Sequence, residues 1–192
     1  MVTNTTQGVG GWLLVVLLPP THCRNRLFPS YVAAVARASR ATAALVAAGV
    51  AHRVHAYPHD KRSSAYGSEA VDALGVDAER VLKTLVIEVD GSLAVAVLPV
   101  PHQLDVKAAA AALGGRRAQL ADPVAAQRVT GYVLGGVSPL GQRTALPTVV
   151  HAAALRHATV LCSAGQRGLE VELDPAELVR LTGAVTASIT RA

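Results

Sequence analysis

Lys83 is the side chain in this sequence whose position most strongly suggests chemistry, because it interrupts an apolar pattern. Residues 81–89 read as a β-strand, in which alternate side chains share a face, so Lys83 lies with Val81 and Leu85. An ammonium among aliphatic side chains is costly unless it is paired or opens onto a cleft, where it can bind an anion or polarise a carbonyl. A lysine that extends along the strand to reach water is the alternative, and the sequence favours neither.

A glycine-rich loop is the second feature that could support catalysis. Gly135 and Gly136 begin the run Gly-Gly-Val-Ser-Pro, in which successive exposed amides could bind an anion or stabilise a developing oxyanion. The loop lacks the Lys-Ser/Thr ending of a phosphate-binding loop, so it does not predict a nucleoside triphosphate site. Considered alone, such a run is more often a simple turn.

The side chains that could act as nucleophiles have no base at motif spacing. Ser163 ends a short predicted strand, where it could hydrogen-bond a ligand or cap a turn. Cys162 points to the opposite face and is predicted to be a small buried hydrophobe, because no neighbouring cation would lower its pKa. His55 and His59 permit a metal site but match no metal-binding motif. The sequence therefore predicts no metal, no cofactor and no protein nucleophile.

Basic residues recur in the second half of the chain, near its predicted helices and the glycine-rich loop. They either form a rim that binds phosphates or belong to a solvated surface, and the sequence leaves both interpretations open. These residues are Lys107, Arg116, Arg117, Arg128 and Arg143.

A β-hairpin is predicted to position Lys83. Residues 81–100 contain two runs rich in β-branched residues, separated by Asp90-Gly91. Both central residues of a type I′ turn need a positive φ, which makes Asp-Gly one of the strongest short-range hairpin signals.

Glycine, proline and acidic N-cap residues delimit the other elements. Predicted helices cover residues 42–48, 68–74, 106–113, 123–129 and 175–183, and predicted strands cover residues 50–57, 148–150, 159–163, 169–173 and 185–189. Because adjacent strands mix with single helices, this order predicts an α+β fold, a mixed, partly closed β-barrel with flanking helices.

The charge distribution divides the 192-residue chain near residue 40. Residues 1–40 contain four arginines and no acidic residue, which leaves 14 basic and 13 acidic residues in 41–192. We therefore predict an N-terminal extension over 1–40 and one nearly neutral domain over 41–192. Binding of a polyanion must then come from a local patch and not from the overall charge of +5.

Cysteine usage and hydropathy favour a cytoplasmic protein with no membrane partner. Two cysteines are too few for a disulfide framework. The apolar run at residues 12–18 is far too short to span a bilayer. No Lys or Arg precedes that run, so it matches a signal peptide poorly, although secretion through residues 1–40 stays open as an alternative.

Several motifs share their order and spacing with one known family. They are Tyr-Pro-His-Asp at 57–60, Val-Leu-Lys-Thr-Leu at 81–85, Gln-Leu-Asp at 103–105, Ala-Asp-Pro at 121–123 with Gln-Arg at 127–128, the segment 130–141, and Arg-Gly-Leu-Glu at 167–170. Through these motifs, residues 41–192 resemble the YbaK family, the bacterial Cys-tRNA(Pro) deacylases related to the editing domain inserted in prolyl-tRNA synthetase.

The resemblance implies a pocket for the aminoacylated 3′ end of a tRNA. In the family, the lysine that matches Lys83 is the hallmark functional residue. The substrate-binding residues implied by the match are Tyr57, Tyr66, Thr84, Gly135, Gly136, Val137, Ser138, Pro139, Ser163 and Glu170. Relatives often carry phenylalanine at the Tyr66 position and aspartate at the Glu170 position, which leaves the choice of amino acid open.

The activity implied by the resemblance is trans-editing of mischarged tRNA. Cys-tRNA(Pro) is the first candidate substrate, since a thiol on the substrate would replace the missing protein nucleophile, as the family's mechanism proposes. An Ala-tRNA(Pro) deacylase and a non-catalytic tRNA-binding module of the same fold are the alternatives. The implied partner is aminoacylated tRNA(Pro), and a partnership with prolyl-tRNA synthetase stays open.

Overall fold

The computed structural model of the protein describes residues 39–60 and 66–191. Within these residues, five α-helices flank one mixed sheet of eight strands. The helices are α1 (Arg40–Ala47), α2 (Tyr66–Leu74), α3 (Val106–Ala112), α4 (Pro123–Thr130) and α5 (Pro175–Thr182). The strands are β1 (His52–Ala56), β2 (Val81–Val89), β3 (Ser92–Pro99), β4 (Ala118–Leu120), β5 (Thr148–His151), β6 (Val160–Gln166), β7 (Leu169–Leu173) and β8 (Val185–Ala187).

The sheet has the strand order β1-β7-β6-β2-β3-β5-β8, and β4 pairs with the C-terminal part of β2. β2 is antiparallel to β3 and parallel to β6, so the sheet is mixed. β1 and β8 lie at the two ends of this order and do not pair with each other in the described part of the chain. The predicted α+β fold with a mixed sheet is confirmed. Within the described residues the sheet does not close into a complete barrel.

The predicted hairpin is confirmed in its turn and its register. Asp90 has a φ of 47° and Gly91 a φ of 86°, as a type I′ turn requires. β2 and β3 pair from Val89 opposite Ser92 to Leu82 opposite Pro99. This pairing fixes which side chains of β2 share a face.

Helices cover both faces of the sheet around β2. α1 and α5 pack on the face that carries Leu82, and α4 packs near Val86 on that same face. α2 and α3 cover the opposite face, where Val81 and Ile87 are buried. The alternation of β2 side chains therefore places Lys83 on the side of α2 and α3. None of the helices in the described residues is long and apolar enough to cross a membrane.

Helix α1 begins two residues earlier than the sequence predicts. Ser39 is its N-cap, and its Oγ accepts a hydrogen bond from the Thr42 amide at 3.0 Å. The Arg40 guanidinium donates to the Gly131 carbonyl at 2.5 Å and lies 4.5 Å from the centre of the Tyr132 ring. Arg40, which we assigned to the N-terminal extension, is therefore part of the folded unit. Residues 1–38, with the apolar run at 12–18, lie outside the described residues.

Two truncations test where the stable unit begins. Deleting residues 1–38 should leave the free energy of unfolding almost unchanged, because Ser39 and Arg40 keep their contacts. Deleting residues 1–40 removes the cap and two Arg40 hydrogen bonds, each of which contributes about 1 kcal/mol, so stability should fall by about 3 kcal/mol. Urea denaturation of both proteins measures the difference. Equal stability of the two truncated proteins would contradict this boundary.

Candidate active site

A gap in strand pairing opens a cavity beside β2. β6 pairs with β2 only at Val81 and Leu82, and β4 pairs with it only from Ile87 onward. β6 also has a bulge between Ser163 and Gln166, and bulges bend a strand away from its neighbours. In the described residues, the middle of β2 thus has no strand partner on this side, and a cavity of about 490 Å³ lies there.

Lys83 lines this cavity, but its ammonium group already has partners. Lys83 Nζ donates to the Val100 carbonyl at 3.1 Å and to the His102 carbonyl at 2.5 Å. Burial lowers the pKa of Lys83, because the low-dielectric surroundings disfavour the charged form. The side chain thus lines the cavity and is held there by two backbone carbonyls, rather than extending along the strand to reach water.

Glu170 is the buried acid of the cavity. It lies opposite Ser163 in the pairing of β6 with β7 and is only 8% exposed. The Tyr57 hydroxyl donates to its Oε1 across 3.5 Å, and its Oε2 has no hydrogen-bond partner in the described structure. Burial raises the pKa of Glu170 to about 8, with a smaller opposing effect of the Tyr57 hydrogen bond. Burial thus favours the protonated form of this carboxyl.

Thr84 contributes a second buried polar group without a partner. Its Oγ1 makes no hydrogen bond within the described residues, although the side chain is partly buried beside the cavity. Thr84 also lies in the part of β2 that pairs with β3 alone, opposite Val97. The cavity thus offers at least two polar groups that a bound ligand could satisfy.

The glycine-rich loop closes over the cavity from the other side. Gly135 has a φ of 78°, and a side chain there would come within 2.6 Å of the Tyr66 ring, so only glycine allows this packing. Arg167 holds the two together, because its Nε donates to the Leu134 carbonyl at 2.9 Å and its guanidinium lies 4.9 Å from the centre of the Tyr66 ring.

The loop does not present all the amides that we predicted. The Gly136 amide donates to the Val133 carbonyl at 3.0 Å, so it is used inside the loop. Ser138 and Pro139 are buried and do not line the cavity. The expectation of a continuous run of available amides is wrong, because the loop must satisfy its own backbone. The predicted residues that line the cavity are Tyr66, Lys83, Thr84, Gly135, Val137, Ser163 and Glu170.

Neither candidate nucleophile is activated. Cys162 is completely buried, and burial, followed by the charge of Glu170, raises the pKa of its thiol far above the usual range. Ser163 lines the cavity, but its Oγ accepts a hydrogen bond from the Gly165 amide at 3.2 Å. Both observations fit the predicted absence of a protein nucleophile.

The predicted basic residues form two groups rather than one rim. Lys107, Arg116 and Arg117 surround a second hollow of about 610 Å³, together with acidic residues of the hairpin. Arg143 Nη1 donates to the Arg128 carbonyl at 3.2 Å, so these two lie together elsewhere, beside α4. Because α4 supplies Pro123 and Ala126 to the cavity wall, Arg128 lies on an element of the candidate site, and Arg143 lies beside it.

Sequence reasoning overlooked two residues that support the site. Arg167 joins the glycine-rich loop to α2, as described above. His102 provides a carbonyl for Lys83, and its Nε2 lies 3.0 Å from both carboxylate oxygens of Glu79. The Arg-Gly-Leu-Glu motif could have identified Arg167, whereas no local pattern distinguishes His102.

Comparison with known proteins identifies the family of the part of the chain that forms this cavity. The model of the aminoacyl-tRNA editing domain family matches residues 62–181. A candidate Cys-tRNA(Pro)/Cys-tRNA(Cys) deacylase of Enterococcus faecalis, EbsC, is 32% identical over 143 residues, which cover 71% of this chain and 87% of the relative.

Solved structures have the same fold. A candidate trans-editing enzyme for prolyl-tRNA synthetase superposes with a TM-score of 0.71 at 27% identity, covering 80% of this chain and 96% of its own. A hypothetical protein, APE2540, superposes with a TM-score of 0.70 at 27% identity, covering 79% and 99%.

Proposed function

This chain belongs to the aminoacyl-tRNA editing domain family, and we propose from that premise that its cavity holds the aminoacylated 3′ end of a mischarged tRNA. The chain is accordingly an aminoacyl-tRNA deacylase. Its main substrate in our proposal is Cys-tRNA(Pro), one of the two substrates in the name of the Enterococcus faecalis relative. Hydrolysis of Ala-tRNA(Pro) is the alternative within the same class.

The observation that carries the proposal is the combination, within residues 39–60 and 66–191, of a cavity, a fixed ammonium and two candidate nucleophiles that are not activated. A volume of about 490 Å³ is within the usual range for a small-molecule site. Lys83, held by two carbonyls beside the cavity, can attract the terminal phosphate or the ester oxygen. Because neither Cys162 nor Ser163 is activated, we infer that the attacking group comes from the substrate or from water.

A cysteine on the tRNA can supply that attacking group. Its thiol is close to its own ester carbonyl, and a correctly oriented intramolecular group reacts with a very high effective molarity. The substrate thiol loses its proton as its sulfur attacks the carbonyl carbon, a four-membered thiolactone forms as the ester C–O bond breaks, and the leaving ribose oxygen takes up one proton, so the overall reaction is balanced. The enzyme then needs only to orient the 3′ end and stabilise negative charge on the carbonyl oxygen.

Single-turnover deacylation tests the proposal most directly. Cys-tRNA(Pro) should lose its amino acid quickly with the full chain, while correctly charged Pro-tRNA(Pro) should survive. If neither Cys-tRNA(Pro) nor Ala-tRNA(Pro) is hydrolysed but tRNA still binds, the non-catalytic binding module is the better description. Action in the cytoplasm, and beside prolyl-tRNA synthetase, is part of this proposal, because tRNA is charged and used there.

Phosphate binding by the basic residues is a separate expectation. Neutralising Arg116, Arg117 and Arg128 together should weaken tRNA binding and flatten its dependence on salt, because fewer counterions are released. Each lost phosphate contact should reduce the log–log salt slope by about 0.7 to 0.9. Filter binding of uncharged tRNA(Pro) at several salt concentrations gives the slope.

Because the basic residues form two separate groups, the salt dependence of tRNA binding can be measured for each group on its own. Arg116 and Arg117 can be replaced as one pair, and Arg128 and Arg143 as the other, since the structure separates them. The pair whose replacement lowers the slope identifies which of the two groups contacts the tRNA phosphates. An unchanged slope in both double variants would place the phosphate-binding surface elsewhere.

A further inference from the structure

The environment of Glu170 is unfavourable for a carboxyl group whose role is only structural. It is 8% exposed, lines the cavity and has one carboxyl oxygen without a partner in the described structure. A buried carboxylate normally requires a cation or several hydrogen-bond donors. Here the one hydrogen bond is that of the Tyr57 hydroxyl, at 3.5 Å.

The cations on the cavity side of Glu170 are engaged with other groups. Lys83 donates to the carbonyls of Val100 and His102. Arg167 donates to the Leu134 carbonyl and packs on an aromatic ring. No ion pair to Glu170 occurs among the described residues.

The cationic groups on the β1 side of Glu170 form ion pairs with another carboxylate, that of Glu172. His55 lies opposite Glu170 in the register of β1 and β7, but its Nε2 contacts Glu172 at 2.8 Å. Arg80 also pairs with Glu172, at 2.7 Å. Tyr57 on the segment after β1, Cys162 on β6 and Tyr66 on α2 also lie around Glu170 or line the same cavity. Beyond Tyr57 lies Glu69 on α2, whose carboxylate is 2.7 Å from His59 Nδ1, so this histidine also has an acid other than Glu170 as its partner.

We propose that Glu170 is the receptor for a primary ammonium group, the free α-amino group of the aminoacyl ester, which its unpartnered carboxyl oxygen accepts inside the cavity. Binding of this group exchanges it for the proton of the buried carboxyl. This inference rests on the proposed function, because it names the group of the substrate that this part of the cavity recognises. The exchange is balanced: the carboxyl loses one proton to solvent, and the resulting carboxylate pairs with the ammonium of the ligand.

The exchange has two parts, the protonated carboxyl of the free protein and the carboxylate paired with the bound ammonium, and the surroundings of Glu170 favour each of them. In the empty site, burial favours the neutral carboxyl, whose pKa is raised to about 8. A cation within hydrogen-bond distance favours the carboxylate, so a bound ammonium lowers that pKa again. The unpartnered Oε2 is the atom available to accept from the ammonium. Ligands without a free amino group, such as N-acetylated aminoacyl esters, should therefore be bound poorly.

The pH dependence of binding has a definite sign. Below the pKa of the empty site, each bound ligand must release a proton, so affinity rises with pH by up to about tenfold per pH unit. The rise stops near the pKa of the ligand's own α-amino group, about 7.7, above which the ligand loses its charge. A neutral ligand should show no such rise.

Calorimetry with two amide-linked analogues tests this inference. The first is adenosine carrying cysteine through a 3′ amide, and the second is the same compound without the amino group. At about pH 6, where both the carboxyl and the amine are protonated, the first should release close to one proton per molecule bound, measured in buffers of different ionisation enthalpy. The second should bind at least about tenfold more weakly and release no proton.

Two variants separate recognition from folding. Glu170→Gln keeps the shape but cannot ionise, so it should bind the two analogues with nearly equal affinity and release no proton. Glu172→Gln is the matched control on the same strand, because Glu172 lies outside the cavity and has its own cations; it should behave like the wild-type chain. Circular dichroism confirms that both variants are folded.

The outcomes distinguish this inference from the proposed function. Equal binding of the two analogues by the wild-type chain, binding without proton release, or binding of neither overturns the ammonium site. Deacylation of Cys-tRNA(Pro) alongside any of these results would leave the proposed function standing. Proton-linked binding of the first analogue without deacylation of any aminoacyl-tRNA would instead support the ammonium site and reject catalysis.

Discussion

Replacing Lys83 by methionine should reduce Cys-tRNA(Pro) deacylation by about 100-fold or more while leaving the protein folded. Methionine retains an unbranched apolar side chain but removes the ammonium, so the transition state loses its fixed positive charge. The burial that lowers the pKa of Lys83 shows that the charged form is disfavoured in this position. The free energy of unfolding should therefore stay the same or rise, even though the Val100 and His102 carbonyls lose a donor.

Single-turnover deacylation and urea denaturation of the same preparations measure the two effects. Arg180→Met is the control for loss of one positive charge, because Arg180 is an exposed residue of α5 that pairs with Glu177 and does not line the cavity. It should deacylate at the wild-type rate. A Lys83→Met protein that also does so would mean that Lys83 only anchors the turn at residues 100–102.

Removing the Cys162 thiol should reduce the deacylation rate far less than removing the substrate thiol. Cys162→Ala should retain substantial Cys-tRNA(Pro) deacylation, since the buried thiol of Cys162 has a raised pKa and is not a thiolate. Ala-tRNA(Pro) should react at least about 100-fold more slowly than Cys-tRNA(Pro) with the wild-type chain, because it lacks the intramolecular nucleophile. The two substrates share one tRNA, so the comparison isolates the amino acid.

Ser163→Ala separates positioning from nucleophilic attack. It should slow deacylation moderately, because Ser163 orders the β6 bulge through the Gly165 amide and lines the cavity. Single-turnover rates of both variants on both substrates decide the question. An inactive but folded Cys162→Ala, or equal rates for the two substrates, would rule out the substrate-thiol mechanism.

Local signals in the sequence were sufficient for most of the secondary structure. Asp90-Gly91 specified the hairpin, because the turn depends only on the φ values that these two residues allow. Asp122-Pro123 and Asp174-Pro175 specified the starts of α4 and α5, because a cap and a proline at the first turn act within three or four residues. β4 was missed, since its three residues are too few for a periodic pattern.

The family resemblance extended the sequence analysis to the site, since its motifs named Lys83, Glu170 and the glycine-rich loop as one group. Residue identity alone could not give the state of those groups. Lys83 is held by carbonyls 17 and 19 residues away in sequence, and no pattern within β2 predicts that contact. The loop amides were overestimated for the same reason, because their hydrogen bonds depend on how the loop folds back on itself.

By itself, the sequence determined the class of fold, the elements and the family, because turn geometry, helix caps and side-chain alternation act over a few residues. The tertiary structure alone decided where the cavity opens and which polar groups face it without a partner. Leu82 of β2 pairs with Cys162 of β6, and Ile87 of β2 pairs with Leu120 of β4. The cavity exists because residues 83–86 of β2, which lie between these two points, pair with neither strand. Pairing between segments so distant along the chain depends on packing of the whole sheet, and this packing also buries Glu170 without an ion pair among the described residues.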